Sequence, residues 1–193
     1  MAQPVENKRY TYADYLTWDG NYELINGIAY PKEGVHGMAG TSLLHATARR
    51  ELEVQFMNYL KGKNCKLFSE TFDLRLNADS NDDIVVQPDI FIVCDLSKIT
   101  MEGCVGSPDL IIEILSPSTS KRDRTIKLRL YEQAGVPEYW IVDPFNRYVT
   151  VYILEDEKYG LAANTYEANE TIPVHVLKNC IIKLEDIFQD TYY

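Results

Sequence analysis

Leu110-Ile111-Ile112-Glu113-Ile114-Leu115 is an apolar run of strand length broken by a single carboxylate, and Val85 to Cys94 is a second such run, broken by Asp89. Near-continuous apolar runs of this length, in place of alternation, mark strands covered on both faces by helices. Helical patterns stand on either side of them. From about Ser42 to Leu60 the residues Leu44, Ala48, Leu52, Phe56 and Leu60 recur every four positions without Gly or Pro, tracing one face of the longest helix. Ser118 to Ala134 predicts another, with Ile126, Leu130 and Ala134 at spacing four and Gly135 just past its end, ahead of Val136-Pro137. The pattern is that of an α/β domain.

The remaining elements fit around this centre. Thr11 and Asp14 suit the start of a short helix that ends before Asp19-Gly20 and lies as a lid on the sheet. Tyr22 to Ile25, Asn26-Gly27 and Ile28 to Tyr30 predict a hairpin, because Asn-Gly supplies the two positive φ angles of a type I′ turn. Phe68 to Leu76 alternates with period two and predicts one strand, with Glu70 on its apolar side, followed by a polar turn from Asn77 to Asp83. Tyr139 to Val142 and Tyr148 to Leu154 read as paired strands, and the tail as short strands with a final turn at Leu184 to Phe188.

The chain has 193 residues, 46% of them hydrophobic and 25% charged, which is the composition of a single folded domain over residues 1–193. A net charge of −10 argues against a general nucleic-acid coat or a binder of anionic membranes, so any contact with a polyanion is local. No run approaches the ~20 apolar residues of a membrane span, and the first residues lack the apolar core of a signal peptide; a cytoplasmic protein is expected. Cys65, Cys94, Cys104 and Cys180 form no C-x-x-C pair and are expected to be free thiols. Ser118-Thr119-Ser120-Lys121 satisfies S-x-x-K without the companion elements of that catalytic class, and there is no G-x-x-x-x-G-K-[ST] loop, G-x-G-x-x-G turn or H-E-x-x-H helix.

Asp89 and Glu113 are the chemical anomaly. A carboxylate in a dry strand is costly unless paired, hydrogen-bonded or bound to a cation, and two on neighbouring core strands also repel each other. Mg²⁺ is held by one or two carboxylates together with water and phosphate oxygens, so the pair suits metal-assisted phosphodiester hydrolysis. The plainer alternative is that each acid meets its own Arg, Lys or helix N-terminus. Asp123, Lys127 and Tyr131, at i, i+4 and i+8, form one stripe beside the apolar one, so Lys127 can point inward, where an ammonium near a bound water would orient it or stabilise charge on phosphate; a solvated pair with Asp123 is the plainer reading. Residues 121–129 carry Lys121, Arg122, Arg124, Lys127 and Arg129 against Asp123, a local +4, which makes Lys121, Arg122 and Arg124 the candidate nucleic-acid contacts. His45 reads as a surface or cap residue, Tyr131 as packing, and Glu70 as a residue within possible reach of the same cleft.

Gln87-Pro88-Asp89, Gly106 to Thr119, Lys127, Tyr131 and Gly135 to Pro144 together resemble the Uma-type endonuclease family of the PD-(D/E)XK superfamily, and the resemblance extends back to Tyr22-Glu23-Leu24-Ile25-Asn26-Gly27 and forward to Leu184 to Phe188. It implies a restriction-endonuclease-like mixed β-sheet flanked by helices, preceded by the N-terminal hairpin. It also implies that Asp89 and Glu113 are metal ligands for Mg²⁺ or Mn²⁺, and that DNA is the substrate. The superfamily places a lysine two residues after the second acid, where this chain has Leu115; the family resemblance moves that role to Lys127. Glu23 adds a candidate carboxylate from the hairpin, with a solvent-facing or Arg-paired residue as its alternative.

Three function classes follow from this reading. One is a metal-dependent nuclease in which Asp89, Glu113, Lys127 and Glu23 form the catalytic set. Another is a catalytically degenerate nuclease fold that binds nucleic acid or protein, which Leu115 and the acidic charge favour. The last is a hydrolase of small phosphate esters, since fold alone does not fix substrate. A homodimer is expected on general grounds, because cutting two strands calls for two sites and the symmetric dimer is the commonest assembly.

Overall fold

The computed structural model describes residues 3–5, 8–32, 42–78, 80–117, 119–160 and 164–188. Its first elements are a short helix α1 (Tyr12–Tyr15) and the hairpin β1 (Tyr22–Ile25) and β2 (Ile28–Pro31). Thr11 and Asp14 close a capping box on α1, and Asn26 and Gly27 take φ of 51° and 74°, the pair a type I′ turn requires. The long helix α2 (Leu43–Leu60) starts at Ser42, whose hydroxyl accepts from the His45 N–H. Its stripe holds from Ala48 to Leu60, but Leu44 is partly exposed at its head.

Two of the expected strands are interrupted. Phe68 to Leu76 is not one strand: it divides into β3 (Lys66–Ser69) and β4 (Leu74–Arg75). Val85 to Cys94 likewise divides into β5 (Val85–Val86) and β6 (Ile90–Val93). The reason is topological. β4 and β5 belong to a five-stranded sheet ordered β2-β1-β5-β4-β7, with β7 at Cys104–Val105, whereas β3 and β6 belong to a larger sheet. The chain crosses between sheets at Glu70 to Asp73 and again at Gln87 to Asp89. Thr71 takes φ 75° at the first crossing, a strained value for a β-branched residue. Pro88, which lacks an amide donor, stands at the second.

The larger sheet contains β8 (Leu110–Ile114), β9 (Glu138–Asp143), β10 (Tyr148–Glu155) and β11 (Lys158–Tyr159), in the order β11-β10-β9-β8-β6-β3, with β12 (Asn164–Glu167) also on β10. β8 and β9 run parallel while the other pairs are antiparallel, so the sheet is mixed as expected. Between β8 and β9 the chain forms α3 (Ser120–Arg122), a π turn over Asp123–Lys127, and α4 (Leu128–Gln133). The expected start of this helix at Ser118 lies outside the described residues. It ends at Gly135, φ 73°, where the Gly135 and Val136 amides donate to the Glu132 and Tyr131 carbonyls in a Schellman arrangement. The π turn, one residue wider than an α turn, offsets the helix: Leu130 is buried but Ile126, expected on the same apolar stripe, faces outward. The small pair β13 (Thr171–Pro173) and β14 (Ile181–Lys183) and the helix α5 (Leu184–Ile187) complete the fold.

Alternation across the large sheet divides the core in two. Ile90, Ile92, Leu110, Ile112, Ile114 and Trp140 face Leu52 and Phe56 of α2 and the C-terminal segment. Phe91, Val93, Ile111, Tyr139 and Ile141 face the other way, towards Leu130 and Tyr131 of α4 and Leu74 and Val86 of the smaller sheet. Glu113, between Ile112 and Ile114, points to this second side.

The cysteines depart from the free-thiol expectation. Cys65 and Cys94 are bonded to each other, and only Cys104 and Cys180 are free, both buried. Cys65 precedes β3 and Cys94 follows β6; since Lys66 is paired with Val93, the two sulfurs come from directly opposed positions. No described helix is long and apolar enough to cross a membrane.

Two measurements check this description. Phe56→Ala, removing a fully buried ring that packs against Trp140, should cost about 3–5 kcal/mol in urea unfolding, whereas Phe145→Ala at an 81% exposed turn should stay within about 0.5 kcal/mol. Thiol titration of the unfolded protein should count two thiols before reduction and four after it.

Candidate functional site

The site lies at the seam where the chain crosses between the two sheets. In the register of β6 against β8, Ile90 is opposite Ile112 and Phe91 opposite Ile111, which puts Asp89 opposite Glu113. Asp89 is therefore not inside a strand; it stands just before one, and its Oδ2 accepts the Ile114 N–H at 2.6 Å in place of a strand partner. Glu113 Oε1 accepts from Lys127 Nζ at 2.8 Å and from the Tyr131 hydroxyl at 2.7 Å. The same ammonium reaches Glu23 Oε1 of β1 at 2.8 Å, so Lys127 joins the smaller sheet to the larger one.

Glu23, Asp89, Glu113 and Lys127 thus meet in one cleft of about 230 Å³, as the sequence led us to expect. The plainer alternatives hold in part: Glu113 meets Lys127, Asp89 meets His45, and Glu23 has the Arg122 guanidinium 4.0 Å away. Glu23 does not face solvent, its side chain being wholly buried, and the Lys127 stripe is no solvated pair, since Asp123 is buried too with its Oδ1 3.8 Å from the ammonium. Tyr131 is more than packing, because its hydroxyl fixes Glu113. Glu70 lines the cleft but is paired with Arg49. Of the basic residues, Arg122 lines the cleft, whereas Lys121 is exposed outside it and Arg124 turns to Asp143 at 3.1 Å and the Tyr148 hydroxyl at 2.8 Å.

Sequence reasoning missed His45. It is not a surface residue: it is buried, lines the cleft, and holds Nε2 3.2 Å from Asp89 Oδ1. The signal was present, because His45 stands three residues before Ala48 and shares its face of α2. Lys32 and Gln87 also line the cleft, and the Gln87 N–H donates to Glu23 Oε1 at 3.2 Å.

Charge in the cleft is unbalanced. Four buried carboxylates, Glu23, Asp89, Glu113 and Asp123, surround one fully buried ammonium. Burial, and then the charges of Asp123, Asp89 and Glu23, push the Glu113 carboxyl up to about 8 despite the ammonium beside it. Burial pushes Glu23 up as well, but Lys127, Lys32 and Arg122 hold it below its ordinary value, and His45 and the Ile114 amide do the same for Asp89. For Lys127 burial favours the neutral amine, but Glu113, Glu23 and Asp123 raise it well above its ordinary value. Lys127 is therefore an ammonium at neutral pH. It can neutralise developing charge and cannot accept a proton.

The donor set fits a hard divalent cation. Glu23 Oε2 and Asp123 Oδ1 are buried without a hydrogen-bond partner, Glu113 Oε2 makes no hydrogen bond among the described residues, and all of these are oxygens. No three His, Cys, Asp or Glu side chains among the described residues form a ready cage.

Comparison with known proteins gives the family. Residues 12–185, nearly the whole chain, match the family Uma2, described as "Putative restriction endonuclease". The chain belongs to that family. A relative, the uncharacterized protein slr1290 of Synechocystis sp. (strain ATCC 27184 / PCC 6803 / Kazusa), is 27% identical over 164 residues, covering 82% of this chain and 81% of that one. The crystal structure of a putative nuclease belonging to DUF820 from Anabaena variabilis ATCC 29413 superposes with a TM-score of 0.72, covering 93% of this chain and 97% of that one at 19% identity. The Uma2 fold expected from the sequence is thereby shown.

Lys127→Ala should lower stability by about 3–5 kcal/mol in urea unfolding, because Glu23 and Glu113 are left buried without their shared counter-ion. Adding Glu113→Gln to that variant should recover part of the loss; no recovery would mean that carboxylate repulsion is not its cause.

Proposed function

We propose that this Uma2 chain is a Mg²⁺- or Mn²⁺-dependent nuclease that hydrolyses phosphodiester bonds, with DNA as its substrate. The observation that carries the reading is the placement of Asp89 and Glu113 side by side in one cleft with the Lys127 ammonium on Glu113. Membership in a family of restriction-endonuclease type supports it.

In this reading Asp89 and Glu113 hold the cation. When bound, the ion lowers the pKa of water and stabilises charge on phosphoryl oxygens. The protein's own groups do the rest. His45 and the Ile114 amide fix the Asp89 carboxylate, and Tyr131 fixes Glu113, so both oxygen pairs are preorganised. Lys127, held by Glu113 and Glu23, presents positive charge where a phosphoryl oxygen becomes more negative as water forms the new P–O bond and the sugar oxygen leaves. Leu115, where the superfamily has its lysine, packs in the core and contributes nothing polar. That substitution favours the second reading, a scaffold that binds nucleic acid without cutting it. The expected homodimer would place two such clefts on opposite strands of a duplex.

Cleavage of plasmid and of single-stranded DNA with Mg²⁺, Mn²⁺ or EDTA tests the proposal. Activity should require the metal and fall at least about 100-fold in Asp89→Asn, Glu113→Gln and Lys127→Met. Mn²⁺ should also raise the wild-type melting temperature, by about 2.7 kcal/mol of stability at a hundred times its dissociation constant, and do so less in Asp89→Asn. Metal-induced stabilisation without cleavage of any nucleic acid would leave the scaffold reading in its place.

A further inference from the structure

Two cations at the mouth of the cleft have no part in the chemistry just described. Lys32 follows β2 and directs its Nζ to the Gln87 carbonyl at 3.0 Å and the Gln87 side-chain oxygen at 3.3 Å; among the described residues no carboxylate oxygen lies within 4 Å of it. Arg122, on α3, is loosely held, with its guanidinium carbon 5.7 Å from the centre of the Tyr30 ring. Its guanidinium lies 4.0 Å from Glu23 Oε2, makes one long bond of 3.4 Å to the Pro31 carbonyl, and keeps a buried Nε–H with no partner. A buried donor without an acceptor is destabilising, so such a group invites a ligand oxygen.

The two cations come from different elements, the end of β2 and the helix α3, and line the same cleft, together with the hydroxyls of Ser116 and Thr119, whose oxygens are 3.1 Å apart. Glu23, the carboxylate nearest to Arg122, is wholly buried and already accepts from Lys127, whereas the Arg122 side chain retains 15% of its exposure and Lys32 is half-buried. The cations therefore stand outward of that acid, towards an incoming ligand. A point charge, a planar fork of donors and two hydroxyls are the groups that grip tetrahedral oxyanions.

We propose that Lys32 and Arg122, with Ser116 and Thr119, form a phosphate subsite that holds a nucleic-acid phosphate neighbouring the one to be cut. The assignment rests on the nuclease reading for the identity of the ligand. The subsite explains how a protein of net charge −10 can draw a polyanion to a cleft lined by acids: the attraction is confined to the mouth. It also separates binding from chemistry, since neither cation touches Asp89 or Glu113.

The test is binding of a fluorescein-labelled twelve-residue oligothymidylate to the full chain in EDTA, across a range of salt concentrations. Lys32→Met and Arg122→Met should each weaken binding about tenfold and reduce the salt slope by about 0.7, the value for one lost phosphate contact on a single strand. Lys158→Met, at an exposed lysine on the far edge of the large sheet, should change neither quantity. Should Arg122→Met fail to fold, Lys32→Met decides. Unchanged affinity and slope in the folded variants, or no binding by wild type, would overturn the subsite even where Asp89→Asn abolishes cleavage. The expected loss of binding in both variants, beside a wild type that binds but never cuts, would instead overturn the nuclease reading alone.

Discussion

One buried ammonium ties the site together. Lys127 sits 2.8 Å from a carboxylate of each sheet, Glu23 on β1 and Glu113 on β8, with a third acid, Asp123, one helical turn away. Each of these charges would be prohibitively costly if buried alone, and apart from Arg122, 4.0 Å from Glu23, no other cation among the described residues lies within 4 Å of the three acids. The smaller sheet, the helix and the larger sheet are thus coupled electrostatically as well as by the apolar contacts of Tyr131, Tyr139 and Leu74. The coupling leaves a deficit of positive charge, visible in the raised Glu113 carboxyl and in two buried oxygens without partners.

The breaks in Phe68 to Leu76 and in Val85 to Cys94 follow from the same requirement. An uninterrupted strand from Val85 to Cys94 would carry Asp89 as a ladder residue, its amide and carbonyl spent on neighbours and its side chain packed among apolar ones. The crossing at Gln87 to Asp89 frees the carboxylate to take the Ile114 amide and leaves the Gln87 amide for Glu23. The crossing at Glu70 to Asp73 brings Glu70 and the strained Thr71 to the cleft wall. Backbone irregularity here coincides with the chemistry, as does the π turn that carries Asp123 and Lys127.

Most of the fold was legible because its signals are local. Asn26-Gly27 demands a tight turn, Gly135 before Val136-Pro137 demands a helix stop, and the stripe from Ala48 to Phe56 can bury only one face of a helix. The site was legible in part for a different reason: a carboxylate in an apolar run is a physical contradiction that something must relieve. What stayed hidden is long-range. Periodicity cannot tell one strand from two that share an alternation but lie in different sheets, and it cannot show that Cys65 and Cys94 meet across β3 and β6, since that depends on register. His45 was readable in position but not in role, because its partner Asp89 is 44 residues away in sequence.

That a helix lysine could serve where the resemblance puts a strand lysine is intelligible in these terms. Position 115 follows Glu113 by two, so its side chain shares the Glu113 face of the sheet, and Leu115 fills core there beside Ile111 and Tyr139. A lysine at that place would leave the helix to cover the charge with apolar groups. Instead the helix supplies the ammonium from above, and Asp123, placed one turn earlier, together with Glu23 on the opposite sheet, keeps it protonated and fixed. The electrostatic requirement is for a positive charge at one point beside Glu113, and the strand and the helix can both deliver it there. The consequence is that the site depends on how the helix docks against both sheets, which a strand-borne lysine would not require.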